Sequence, residues 1–148
     1  MSNPKISLPR RNLPLVLLQV RELVMARFRP MLNEAGVTEQ QWRVLRALLG
    51  DGPLEPRHIV EICCLSSASL VGILARMEDL GLVTRERMEG DQRRVLVSVS
   101  AKGQRLADRL APRIESIYSQ LESDIGLDIA ETLYETLDAM SARLGGSQ

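Results

Sequence analysis

The sequence holds a single histidine, His58, and only two cysteines, Cys63 and Cys64, which are neighbours in the chain. Adjacent cysteines cannot build an ordinary disulfide scaffold, and no CxxC or Cys/His spacing offers zinc its tetrahedral ligand set. One histidine gives a His-based metal centre or a catalytic triad no footing. There is no P-loop, no GxGxxG and no GxSxG pattern. No metal and no cofactor is expected, and the chain is not expected to be an enzyme. A nucleophilic Cys63 or Cys64 would still need a base beside it. No apolar run approaches the roughly 20 residues of a membrane span. Met1 to Asn12 lacks an apolar stretch ending in a cleavage-like site. The expected location is the cytoplasm, with no membrane partner.

Net charge is also missing, since 19 Lys and Arg meet 19 Asp and Glu. The distribution is not even. Residues 1–105 carry 16 basic and 11 acidic side chains, a balance of +5, and residues 106–148 carry 3 and 8, a balance of −5. A basic front and an acidic back can present one face to phosphate while the whole stays neutral. What the chain does have is a core: 45% of its 148 residues are hydrophobic and 26% charged, enough for one domain over 1–148.

Pro4, Pro9 and Pro14 keep the first residues extended. Leu15, Leu18, Leu23, Met25, Ala26, Phe28 and Leu32 then predict a long helix to about Asn33, kinked near Pro30. Thr38 and Gln41 have the spacing of a capping box, opening a helix with Trp42, Leu45, Leu48 and Leu49 on one side. Gly50 to Pro53 stops it. A short helix over 55–63 follows, with Ile59 and Ile62 inward. Ser66 suits the cap of the next helix, whose apolar face is Leu70, Ile73, Leu74, Met77 and Leu80. Gly81 supplies the positive φ of its C-terminal stop.

The period then changes to two. Residues 82–88 and 95–99 read as strands, with Val95, Val97 and Val99 on one face, joined by a polar loop over 89–94. Ser100 can cap a long helix over 101–124, with a bend expected at Pro112. Gly126 separates a last helix over 128–144 carrying Ile129, Leu133, Leu137, Met140 and Leu144 in line.

Two short helices and then a basic hairpin outline a winged helix-turn-helix, mainly α with a small β-hairpin wing. A helix fits the major groove of B-DNA, and a two-stranded wing can lay a cation in the minor groove. The helix from Ser66 to Leu80 turns Ser67, Ala68, Ser69, Val71, Gly72 and Arg76 outward. Small side chains let the backbone approach DNA, and hydroxyls can bond phosphates or base edges. An exposed helical Gly72 costs about 1 kcal/mol relative to Ala, so a purpose is expected for it. The face lacks the Asn or Gln that reads adenine.

The run from Asp91 to Gly103 (DQRRVLVSVSAKG) resembles the DxRxxxxxLTxxG wing pattern of the MarR family, with Val99-Ser100 where Leu-Thr is usual. Leu80 to Arg85 resembles that family's turn out of the recognition helix. The resemblance implies that Arg93, with Arg94 beside it, meets DNA from the wing. It makes Asp91 the partner that holds Arg93 in place. The helix opened by Ser66 becomes the major-groove reader. It further implies a DNA-binding lobe over 37–100 and dimerisation helices over 12–36 and 101–148. The partners are then a second copy of the chain and a pseudo-palindromic double-stranded operator.

Leu17 to Glu22, Phe28 to Pro30, Thr38 to Arg43 and Ser69 to Leu74 are similar to the regulators of homoprotocatechuate operons. That resemblance implies a repressor of aromatic-acid catabolic genes released by a small aromatic carboxylate. Such a ligand wants an Arg for its charge and an aromatic wall for its ring. The candidates are Arg21, Arg29, Trp42, Arg46, His58 and Tyr118, with Arg21 first for the carboxylate and Trp42 for the wall. Two other readings stay open: a redox sensor acting through Cys63 or Cys64, and a winged-helix adaptor that binds protein and not DNA.

Overall fold

The computed structural model describes residues 2–145; Met1 and residues 146–148, the end of the expected dimerisation segment, lie outside the described residues. Its elements run α1 (Leu13–Glu34), α2 (Glu39–Asp51), α3 (Pro56–Cys63), α4 (Ser67–Asp79), β1 (Val83–Met88), β2 (Asp91–Val99), α5 (Ala101–Ile125) and α6 (Leu127–Arg143). The winged helix-turn-helix order of the sequence is therefore realised.

Local chemistry sets most boundaries. Thr38 Oγ1 accepts from the Gln41 N–H at 3.1 Å while Gln41 Oε1 accepts from the Thr38 N–H at 3.1 Å, closing both halves of the capping box. Ser66 and Ser100 cap α4 and α5 in the same way, by accepting from Ser69 and Gly103. Gly81 takes φ +74°, and the Leu82 N–H reaches the Met77 carbonyl at 2.9 Å, the paired-bond helix stop that only a left-handed residue allows. Pro14 falls inside the first turn of α1, where its missing N–H costs nothing, and Asn12 caps the helix in front of it. Both α1 and α5 run on through Pro30 and Pro112.

One buried cluster joins the elements. Phe28, Met31 and Leu32 of α1, Val44, Leu45 and Leu48 of α2, Ile59 of α3, Leu70, Leu74 and Met77 of α4, Val97 of β2, and Leu106 and Leu110 of α5 meet there. Ile62 does not join it. On an eight-residue helix the inward stripe runs through Ile59 and Cys63, one turn apart, which leaves Ile62 50% exposed. Leu80 is likewise at the surface, as the C-cap of α4.

The sheet differs most from the sequence reading. The strand expected at 95–99 begins at Asp91, so the hairpin turn shrinks to Glu89-Gly90. Pairing is antiparallel, Val83 with Val99 through Arg87 with Val95, but Met88 then pairs with Asp91, so residues 92–94 bulge out of the ladder. A third strand of one residue is added by Leu54, whose N–H and C=O both bond to Val97, at 3.1 and 2.8 Å.

The terminal helices stay uncovered. Leu15, Leu17, Leu18 and Leu23 of α1 and Ile129, Leu133 and Leu137 of α6 are all exposed in the protomer. Among the described residues no single helix is long and apolar enough to cross a membrane.

Candidate nucleic-acid interface

The α4 helix buries Leu70, Leu74 and Met77 and leaves its opposite side open. Ser67, Ala68, Ser69, Gly72 and Arg76 are exposed, and Val71 is 67% exposed, although it is a β-branched apolar residue. Nothing lies within 4 Å of a methyl group placed on Gly72. Ser66 Oγ donates to the Ser69 hydroxyl at 2.8 Å while accepting from the Ser69 N–H, so these two hydroxyls are fixed at the tip of the helix. Arg76 forms no ion pair among the described residues.

The far end of α4 is anchored. Lys102 Nζ donates to the Leu80 carbonyl at 2.7 Å, Ser100 Oγ donates to the Gly81 carbonyl at 2.5 Å, and Arg85 of β1 pairs with Glu78 at 2.7 Å. The exposed face is thus offered by a helix gripped at its C-terminal end and capped at its start.

In the wing, Asp91 braces Arg93, but through the backbone: Asp91 Oδ1 accepts from the Arg93 N–H at 3.0 Å. The guanidinium of Arg93 is left exposed and without an ion pair among the described residues. Arg94, half exposed, also has a partner within the protein, since its Nε donates to Glu55 Oε1 at 2.5 Å. Glu55 is a residue the sequence reading passed over. A lone acidic side chain before Pro56 gives no sign of a partner 39 positions away.

Of the ligand candidates, Arg21 and Arg29 are already closed on carboxylates. Arg21 pairs with Glu22 and Glu39, Arg29 with Glu22 at 2.8 Å and Glu39 at 3.4 Å, and Arg43 with Glu39 at 2.9 Å. Glu39 is only 16% exposed within this ring of three guanidiniums. Trp42 packs partly buried against the core. Arg46, one turn further along α2, is exposed with no ion pair among the described residues. Tyr118 stands edge-on to Phe28, ring centres 5.0 Å apart at 61°. His58 sits half-exposed on α3, its Nδ1 3.8 Å from Glu55. A cleft of about 330 Å³ between the α1–α2 turn, the end of α4 and α5 is lined by Lys102, Arg105 and Arg109 over Val37 and Leu82, and by none of these candidates.

Cys63 is buried, and its thiol donates to the Arg43 carbonyl at 3.5 Å. Burial pushes that thiol up, against a smaller opposing pull from Arg43, so it is held away from the reactive thiolate. Cys64 is exposed and caps α3 in a left-handed conformation, φ +53°.

Residues 35–94, which span α2, α3, α4 and the first half of the wing, match the sequence pattern of the MarR family. The chain is 38% identical over 110 residues to the HTH-type transcriptional regulator FarR of Neisseria gonorrhoeae, covering 74% of this chain and 75% of that protein. It is 36% identical over 137 residues to the homoprotocatechuate degradative operon repressor of Escherichia coli, covering 93% and 92%. The crystal structure of NadR in complex with 4-hydroxyphenylacetate superposes with a TM-score of 0.78 at 34% identity, over 94% of this chain and 98% of that one. Likeness of that extent in both sequence and fold makes this chain a member of the MarR family of winged-helix, DNA-binding transcription regulators.

Proposed function

We propose that the protein is a repressor of aromatic-acid catabolic genes that holds its operator as a homodimer and releases it when a small aromatic carboxylate binds. The observation that carries the DNA half is the uncovered face of α4, where Ser67, Ala68, Ser69, Val71, Gly72 and Arg76 are all exposed. Such a face, narrow at Gly72 and cationic at Arg76, suits entry into a major groove. Arg93 on the wing takes the minor groove beside it. The exposed leucines of α1 and α6 form the surface on which a second copy packs. Such a dimer has to hold its two reader helices about one DNA turn, roughly 34 Å, apart.

The ligand half is supported by the relatives. The Escherichia coli protein is named for homoprotocatechuate breakdown, and NadR was crystallised with 4-hydroxyphenylacetate. In this chain the occupied guanidiniums of Arg21 and Arg29 favour Arg46 for the ligand's carboxylate, with Trp42 and Tyr118 as aromatic surface. A ligand that favours a different spacing of the two lobes needs a coupling of only about 1–3 kcal/mol to weaken binding about 5- to 150-fold.

The test is fluorescence-anisotropy binding of the intact protein to the DNA upstream of its own gene, with and without 4-hydroxyphenylacetate and homoprotocatechuate. Tight binding weakened by either acid supports the whole reading. Tight binding indifferent to both keeps the repressor and removes the ligand assignment. Absence of specific binding there and at neighbouring promoters removes the operator assignment.

A further inference from the structure

We propose that Glu55 is a positioning residue for DNA reading, which pins the wing to the first turn of α3 through Arg94 and so sets where Arg93 reaches. The proposal rests on the wing being a DNA contact, as argued above.

Glu55 stands at the N-cap of α3, where an acidic side chain ordinarily accepts from the first N–H groups of the helix. It makes no such bond. Its carboxylate, 8% exposed, turns to the hairpin: Oε1 accepts from Arg94 Nε at 2.5 Å and Oε2 from Arg57 Nε at 3.0 Å. A carboxylate so far removed from water is tolerated only when charged donors satisfy it. The two arginines and His58, 3.8 Å away, are the groups that face it. Pairing with Arg94 holds its carboxyl below the ordinary range, as expected for a group kept charged.

Arg94 sits where the ladder gives no support. Between the Arg87–Val95 and Met88–Asp91 pairs, residues 92–94 are outside the strand register. Among the described residues two bonds hold this stretch, one at Arg93 itself and one at the residue after it. Asp91 takes the Arg93 N–H, and Glu55 takes the side chain of Arg94. The first is internal to the wing. Only the second refers the wing tip to the helices that carry the reader, and Leu54, the residue before Glu55, is itself bonded to Val97 of β2.

The experiment is a double-mutant cycle on the full-length protein, using an operator selected from random duplexes with the wild type. Glu55→Gln and Arg94→Gln are each combined with Arg93→Ala, and circular dichroism and thermal unfolding establish that each variant is folded. Glu55→Gln and Arg94→Gln are each expected to weaken operator binding about 5- to 50-fold. Arg93→Ala, costly in the wild type, is expected to cost under about 3-fold on top of either. Hydroxyl-radical protection of the flanking minor groove is expected to fade while protection under α4 persists. Should Glu55→Gln fail to fold, Arg94→Gln carries the test, because Arg94 is half exposed.

Tighter binding by Glu55→Gln would show that Arg94 touches DNA directly once freed, and overturns the proposal. An undiminished cost of Arg93→Ala in both backgrounds also overturns it, while leaving the wing as a DNA contact. A wild type indifferent to Arg93→Ala removes the wing from DNA reading altogether, and this proposal with it.

Discussion

The α-carbon of Gly103 is pressed against the carbonyl oxygen of Leu82, with no room for a methyl group between them; the same methyl would stand 2.9 Å from Val99 Cγ1. This contact seats the first turn of α5 under the turn that ends the reader helix, where Ser100 also grips Gly81. The obstacle is backbone and cannot rotate away. Gly103→Ala is therefore expected to cost about 3 kcal/mol of stability, at the upper end of overpacking penalties. Urea unfolding measures it, and a loss under about 0.5 kcal/mol would refute the close approach.

Gly72 is the opposite case. Space surrounds it, its φ is not in the left-handed region, and it lies in mid-helix. Gly72→Ala should raise stability by about 0.5–1 kcal/mol. The same change should weaken operator binding, because the added methyl stands on the face offered to the groove. Thermal unfolding and anisotropy on one preparation check both signs, and a variant improved in both would leave Gly72 without a part in DNA reading.

Arg93→Ala should reduce operator affinity by about 1–3 kcal/mol if the side chain reads a groove edge, and lower the slope of log K against log salt by about 1 if it meets phosphate. A titration series from low to physiological salt separates these two contributions. An unchanged affinity at every salt concentration speaks against both.

Arg46→Ala should raise the concentration of aromatic acid needed to release DNA at least about 10-fold, the loss of a charge-assisted pair to a carboxylate. Arg21→Ala and Arg29→Ala are expected to shift release less, since their guanidiniums serve Glu22 and Glu39. Isothermal titration of the three variants with 4-hydroxyphenylacetate ranks them, and an Arg21 effect larger than that of Arg46 reverses the assignment.

Two carboxylates make stability depend on acid. Pairing with Arg94 holds Glu55 below its ordinary value of 4.5, and a bond from Arg27 holds Asp124 below 3.8; burial opposes both shifts. A depressed folded-state pKa gives stability that is complete above the unfolded value and lost as pH falls through the folded one. Urea midpoints should therefore be insensitive to these groups from pH 7 to about 5 and decline below about 4.5. Glu55→Gln and Asp124→Asn should each flatten that acid limb. An identical limb in both variants would remove these pairs as its source.

The sequence was most legible where one residue acts on its near neighbours. Thr38 with Gln41, Ser66 with Ser69, Ser100 with Gly103, and Gly81 at positive φ are all decided within four positions, and each stands where the pattern placed it. What the sequence does not show lies where partners are distant. Leu54 is a strand of one residue between Pro53 and Glu55-Pro56, too short to show a period, and its partner Val97 is 43 positions on. Arg21 and Arg29 have the chemistry of carboxylate receptors, but only the folded crossing of α1 and α2 reveals that Glu39 already occupies them. The outward face of α4 and the exposed Arg93 were readable from helical spacing and the wing motif. The Arg94–Glu55 pair was not, because it closes across the lobe between residues 39 positions apart.

The two bonds between Leu54 and Val97 limit which motions remain to the molecule. The inner strand of the hairpin is tied near its base, at Val97, to the segment that starts α3, so the base of the wing cannot turn without dragging the helix-turn-helix along. Reader and wing then move as a caliper with fixed jaws. On the proposed function, a ligand that loosens the grip on DNA then acts more readily on the gap between two such calipers than on the opening of either one.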